Sequence, residues 1–191
     1  MTPLDELRAR FTLDQSVIFP RMEDADFAPL GLQRIPSSYR TIKELFGNSR
    51  LASDSSRFWI ASIHDQNPNF SIIDLREMLS ERLVAFSKRT NENWRPVVNG
   101  SGKPISYLNL TAKNIIPLFN NSEYDYWLCW NKERTVNGEP EVIYFDFGMQ
   151  ILLRKFCSLV TVYEMLSDGR LVEPLSKDKE GKIMLTCFEP W

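Results

Sequence analysis

The sequence predicts a mixed α+β fold, a single domain with a mainly antiparallel sheet and flanking helices. Three observations carry this expectation. Apolar residues recur at helical spacing in several segments, most extensively between residues 71 and 88. Aromatic and β-branched runs, IIPLF, YDYWLCW and EVIYFDF, follow one another from residue 115. No internal repeat, low-complexity tract or linker divides the 191 residues, about one ordinary domain, which can bury roughly 70% of the surface that its unfolded form exposes.

Taken in order, Thr2 and Pro3 offer an N-cap and a first-turn proline, and Leu4, Leu7 and Phe11 predict a short opening helix. The segment RMEDADFAPLGLQRIP, broken by Pro29, Gly31 and Pro36, is expected to be irregular. Ser37 or Ser38 then caps a helix whose apolar face is Tyr39, Ile42, Leu45 and Phe46, with Gly47 as its left-handed stop. RFWIASI, residues 57–63, reads as a strand. Ile72, Leu75, Leu79, Leu83 and Phe86 step by three and four, giving a helix over about 71–88. NENWRPVVNGSGKPISYLNL reads as a hairpin or long loop between short strands.

YDYWLCW and EVIYFDF then form an antiparallel hairpin joined by the polar NKERTVNGEP, in which Asn137-Gly138 favours a turn. Both faces of YDYWLCW are largely apolar. Tyr124, Tyr126, Leu128 and Trp130 point one way and Asp125, Trp127 and Cys129 the other, which marks a central strand covered on both sides. Phe156, Leu159, Val160, Tyr163 and Leu166 predict a helix ending at Ser167-Asp168-Gly169, and KEGKIMLTCFEPW a last strand.

Composition narrows the function. With 23 basic and 25 acidic residues the net charge is −2, too balanced for capture of nucleic acid or an anionic membrane. No run approaches the roughly eighteen apolar residues of a membrane span, and MTPLDELRARF is too charged for a signal peptide, so a cytoplasmic location is expected. Cys129, Cys157 and Cys187, odd in number and widely spaced, suit reduced thiols.

Catalytic chemistry finds little support. The one histidine, His64, has no Cys or His partner at ligand spacing, so zinc is not expected; Asp24 with Asp26, or Asp146, read as solvated or capping acids rather than magnesium ligands. A nucleophilic Cys129 or Cys157 would need His64 as its base, against the plainer reading of a surface imidazole and buried thiols. The eight glycines form no phosphate-binding loop, and YDYWLCW has no basic residue to interleave with stacked bases. No cofactor is expected.

LGLQRIPSSYRTIKELFG resembles the opening of the SUKH superfamily, the Smi/Knr-like domain, through Leu30, Gly31, Ile35, Pro36, Tyr39 and Gly47. IIPLFNNSEYDYWLCWNKE and GEPEVIYFDF are similar to that family's strands, and FCSLVTVYEML stands where it has a closing helix; the likeness spans about residues 28–168. It covers fold-forming positions, and the 71–88 helix, the NENWRPVVNGSGK insert and the tail after Gly169 depart from the family pattern. The resemblance implies, in bacterial members, an immunity protein that binds a cognate polymorphic or contact-dependent toxin and neutralises it in the cytoplasm. Many such toxins are nucleases with basic clefts, which acidic groups would steer toward the complex. The acids expected to face that partner are Glu123 and Asp125 at the entrance of the aromatic strand, Glu139 and Glu141 across the hairpin turn, and the cluster Glu23, Asp24 and Asp26. The alternatives are a small hydrolase or transferase using Cys129 or a carboxylate pair in an aromatic pocket, and a non-catalytic regulatory scaffold.

Overall fold

The computed structural model describes residues 2–9, 22–47, 51–53, 56–58, 60–63, 71–89, 113–121, 125–147, 151–167, 175–177 and 183–185. Helix α1 (Pro3–Ala9) opens the chain with the predicted cap: the Asp5 amide donates to the Thr2 hydroxyl at 3.2 Å and the Thr2 amide to the Asp5 carboxylate at 2.9 Å. The segment expected to be irregular contains a short helix α2 (Asp24–Phe27) running into a 3-10 turn at Ala28–Leu30. Its acids explain this, since Asp26 accepts from the Glu23 amide at 2.8 Å and two aspartates stand in the first turn, while Pro29 needs no donor there. Helix α3 (Ser37–Phe46) follows and stops at Gly47 as predicted, with a positive φ of 58° that favours glycine, although its ψ of −134° differs from the left-handed helical stop expected.

Strands β1 (Leu51–Ser53) and β2 (Ser56–Phe58) pair as a small antiparallel hairpin. The strand predicted over 57–63 therefore ends earlier. Ile60, Ala61 and Ile63 are instead part of a buried connecting segment: the Ala61 amide donates to the Leu118 carbonyl at 2.8 Å, and Tyr39 Oη donates to the Ala61 carbonyl at 2.8 Å. Lys43, itself buried, adds donations to the Ile60 carbonyl at 2.5 Å and the Ser62 hydroxyl at 2.8 Å. Helix α4 (Ile72–Arg89) matches its predicted span, with Ile72, Leu75 and Leu79 buried and the helix packed along the next strand.

The sheet is formed by β3 (Ile115–Asn121), β4 (Tyr126–Val136), β5 (Glu139–Asp146) and β6 (Ile151–Phe156), in that order and antiparallel throughout. Pro117, which cannot donate to a ladder, sits on the edge strand where the register shifts. The polar run expected as a loop mostly continues the two strands. Only Asn137 and Gly138 turn, both with positive φ of 53° and 81°, the backbone that a two-residue hairpin requires. β6 was not anticipated, because ILL and Phe156 lie at spacings a helix would also use. Phe156 is the last residue of that strand, and helix α5 (Leu159–Ser167) begins after Ser158, whose hydroxyl accepts from the Thr161 amide at 3.4 Å. Strands β7 (Leu175–Lys177) and β8 (Ile183–Leu185) pair antiparallel, β8 being the strand expected in the tail.

β4 is an inner strand, and Trp127, Leu128, Cys129 and Trp130 are each fully buried. Trp130 meets the helical layer, with its ring 5.3 Å from that of Tyr39 and 6.5 Å from that of Phe27. Tyr39 and Phe27 complete the trio edge to face at 5.4 Å. Farther along α3, Phe46 lies 4.8 Å from Tyr163 of α5, so one aromatic seam joins α2, α3, α5 and the sheet. No helix among the described residues is long and apolar enough to cross a membrane. The 91–110 stretch, His64, Glu123 and Cys187 lie outside the described residues, as does Tyr124.

Because Trp130 has no exposed surface and closes the contact with α3, Trp130→Ala is expected to cost roughly 3–5 kcal/mol, read as a lower urea midpoint at unchanged slope.

Candidate functional site

Among the described residues, a crevice of about 470 Å³ lies between the 31–37 segment and the tip of the β4–β5 hairpin. One wall carries Gln33, Arg34, Ile35 and Ser37; the other carries Lys132, Thr135, Asn137 and Glu139. A carboxylate and an ammonium, Glu139 and Lys132, tie the walls together. Glu139 accepts from the hydroxyls of Ser37 and Ser38 and from the Ser38 amide at 2.8 Å. The serines expected to cap α3 therefore turn their side chains to the hairpin, and a carboxylate from another strand takes the helix's first amides. Burial raises the Glu139 pKa, but the donated hydrogen bonds outweigh it and hold the carboxyl below its ordinary value.

Lys132 reaches the crevice because β4 bulges. Its register with β5 shifts between Asn131 and Thr135, while the Lys132 amide still donates to the Asn114 carbonyl at 2.8 Å. The bulge aims the ammonium at the end of the 3-10 turn, where it donates to the Leu30 carbonyl at 2.9 Å. Gly31 stands directly beneath, with φ of 78° and so little room that a Cβ would come within 2.9 Å of Lys132 Nζ. Arg76 of α4 donates to the preceding carbonyl, Pro29, at 3.0 Å. Lys113 adjoins Asn114, so cations from three parts of the chain converge here. Burial lowers the Lys132 pKa, and the charges of Arg76 and Lys113 lower it further. Arg34 lies over the hairpin turn, 3.6 Å from where a Cβ on Gly138 would be.

The acids predicted to face a partner are distributed over the molecule, and each described one carries an internal bond. Asp24 accepts from the Ile35 amide at 2.8 Å and lies 3.7 Å from Arg40, which orients the segment entering α3. Asp26 takes the Glu23 amide, as above. Asp125, in a left-handed turn with φ of 57°, pairs with Arg82 and accepts from the Trp127 indole at 3.1 Å. Glu141 is buried, accepts from Asn131 at 3.3 Å and has Arg134 and Lys155 at 3.9 and 4.0 Å. Of these acids only Glu139 lines the crevice. Nothing in the sequence singles out Arg34, Arg76, Lys113 and Lys132. They are separated by up to about a hundred positions and embedded in segments read as loop or helix, with no local signal beyond the basic residues of NKERT.

Among the described residues, no group of three or more His, Cys, Asp or Glu side chains could hold a metal ion. Cys129 is fully buried, which pushes its thiol pKa well up; it is held protonated and out of reach of a substrate, so it cannot serve as the nucleophile of the hydrolase alternative. The Ser37–Glu139 contact resembles a nucleophile with its base only superficially. A carboxyl held below its ordinary pKa is a poor proton acceptor at neutral pH.

Two outcomes are expected. Glu139 is ionised more readily in the folded state than in the unfolded one, so its stabilisation is complete above the ordinary carboxylate pKa and is lost as pH falls through the lowered folded value. Glu139→Gln should destabilise at neutral pH by roughly 1–2 kcal/mol and flatten the acid limb of a stability-against-pH curve measured by urea titration. Cys129 should resist an aromatic disulfide reagent in the native protein and react at the rate of unfolding, followed by mass spectrometry of the Cys129 peptide. Comparisons of the chain with models of known families, with curated proteins and with solved structures find no match.

Proposed function

We propose that this chain is a binding protein, an immunity protein that holds a cognate bacterial toxin and occludes or distorts its active site. The observation that carries the reading is the state of the crevice. It is open to another molecule, yet its hydroxyls and its carboxylate are bonded to one another in a way that fixes two elements, which suits a rigid recognition surface. Protein recognition favours surfaces that are already in place before the partner arrives, because less ordering is then required on binding. The resemblance to the SUKH superfamily points the same way, and its fold-forming positions have structural work here: Leu30, Ile35 and Tyr39 are buried, and Gly31 and Gly47 take positive φ. A cytoplasmic site of action belongs to this same reading.

Co-expression tests it. The toxin encoded beside this chain's gene should be neutralised in growth assays, and the two proteins should elute as one complex in size-exclusion chromatography. A neighbouring toxin that neither binds nor loses toxicity, or the absence of any such neighbour, would sink the reading.

A further inference from the structure

The charges that converge on the crevice are of the opposite sign to those expected to face the partner. Arg76 and Lys132 donate to the consecutive carbonyls of Pro29 and Leu30, Lys113 lies beside them, and Arg34 overhangs the turn at Gly138. Among the described residues none of these four cations has a carboxylate within 4.0 Å. Two acids stand nearby and keep their charge, Glu139 in the crevice wall bonded to Ser37 and Ser38 and Glu133 bonded to the Asn114 side-chain amide, so the four cations outnumber them. The result is a compact positive patch on a chain whose net charge is −2.

We propose that this crevice, with Arg34 and Lys132 in its walls and Arg76 and Lys113 beside them, docks an acidic peptide segment of a protein partner. The cations, none of them neutralised by a carboxylate among the described residues, supply the complementary charge. Leu32, Ile35, Pro36 and Pro140 supply apolar wall, which a peptide can use and a bare phosphate cannot. A nucleic-acid strand fits less well. It needs a basic track along its backbone, whereas these cations form a cluster on a chain that repels a long polyanion overall. The proposal deepens the binding reading above and rests on it, naming the surface and the chemistry of the partner segment.

The test uses the full chain, isotope-labelled, titrated with a ten-residue Asp/Glu-rich peptide, a Gln/Asn peptide of equal length, inorganic phosphate and a single-stranded oligonucleotide. The acidic peptide should shift the amide resonances of Gly31 to Ile35, of Ser37, and of Asn137 and Gly138. Its affinity should fall at least about tenfold in the double variant Arg34→Glu/Lys113→Glu, and comparably on raising salt from about 50 to about 300 mM. Both residues are exposed, and the variant's fold is checked by its thermal melt. No shift with the acidic peptide, equal binding by the folded double variant, or binding of phosphate or oligonucleotide in place of the peptide would each overturn the proposal. The toxin supplies the separating measurement. A toxin bound equally by wild type and double variant removes this surface and leaves the immunity reading standing; peptide binding here without toxin binding does the reverse.

Discussion

The architecture depends on one strand having no face left for water. Trp127 to Trp130 are buried on both sides, so β4 forms only if β3 and β5 flank it and other parts of the chain cover it. Trp130 then fixes how α2 and α3 sit, because its ring must be met by Tyr39 and Phe27 to fill the space. Tyr39 carries the constraint onward through its hydroxyl, which ties the 60–63 segment and so the sheet edge at Leu118. A helix, a connecting segment and a strand are positioned by one aromatic contact.

How much of this was legible follows from the physics of each element. The inner strand, the helix over 72–89 and the Asn137-Gly138 turn were readable because each is specified locally, by apolar content on both faces, by spacing, or by a backbone that few residues adopt. The extension of β4 and β5 through polar residues was hidden, since beyond Asn131 the strands project past the buried sheet and have no apolar pattern to show. β6 was hidden for the opposite reason. Its apolar residues run into those of α5, and spacing alone does not separate two short elements in sequence.

The crevice was legible only in part. Glu139 is among the acids the sequence singles out, but its bonds to serines about a hundred positions earlier depend on the tertiary fold, and so does the bulge that turns Lys132 toward Leu30. Sequence reasoning gave weight to acids because they cluster along the chain; the fold engages those acids in capping and pairing and gathers cations from distant segments. Charge that is contiguous in sequence is often used within its own element, whereas charge gathered by folding can remain available to a partner.

The β4–β5 hairpin extends beyond its neighbours as a two-stranded ribbon, held at the tip by Glu139. Such a ribbon, lacking a flanking strand near its tip among the described residues, takes its position from the bonds it makes to the 30–38 segment. The crevice is thus pinned from both sides, Glu139 holding Ser37 and Ser38 while Lys132 holds the Leu30 carbonyl, so the shape of one wall is set by residues of the other.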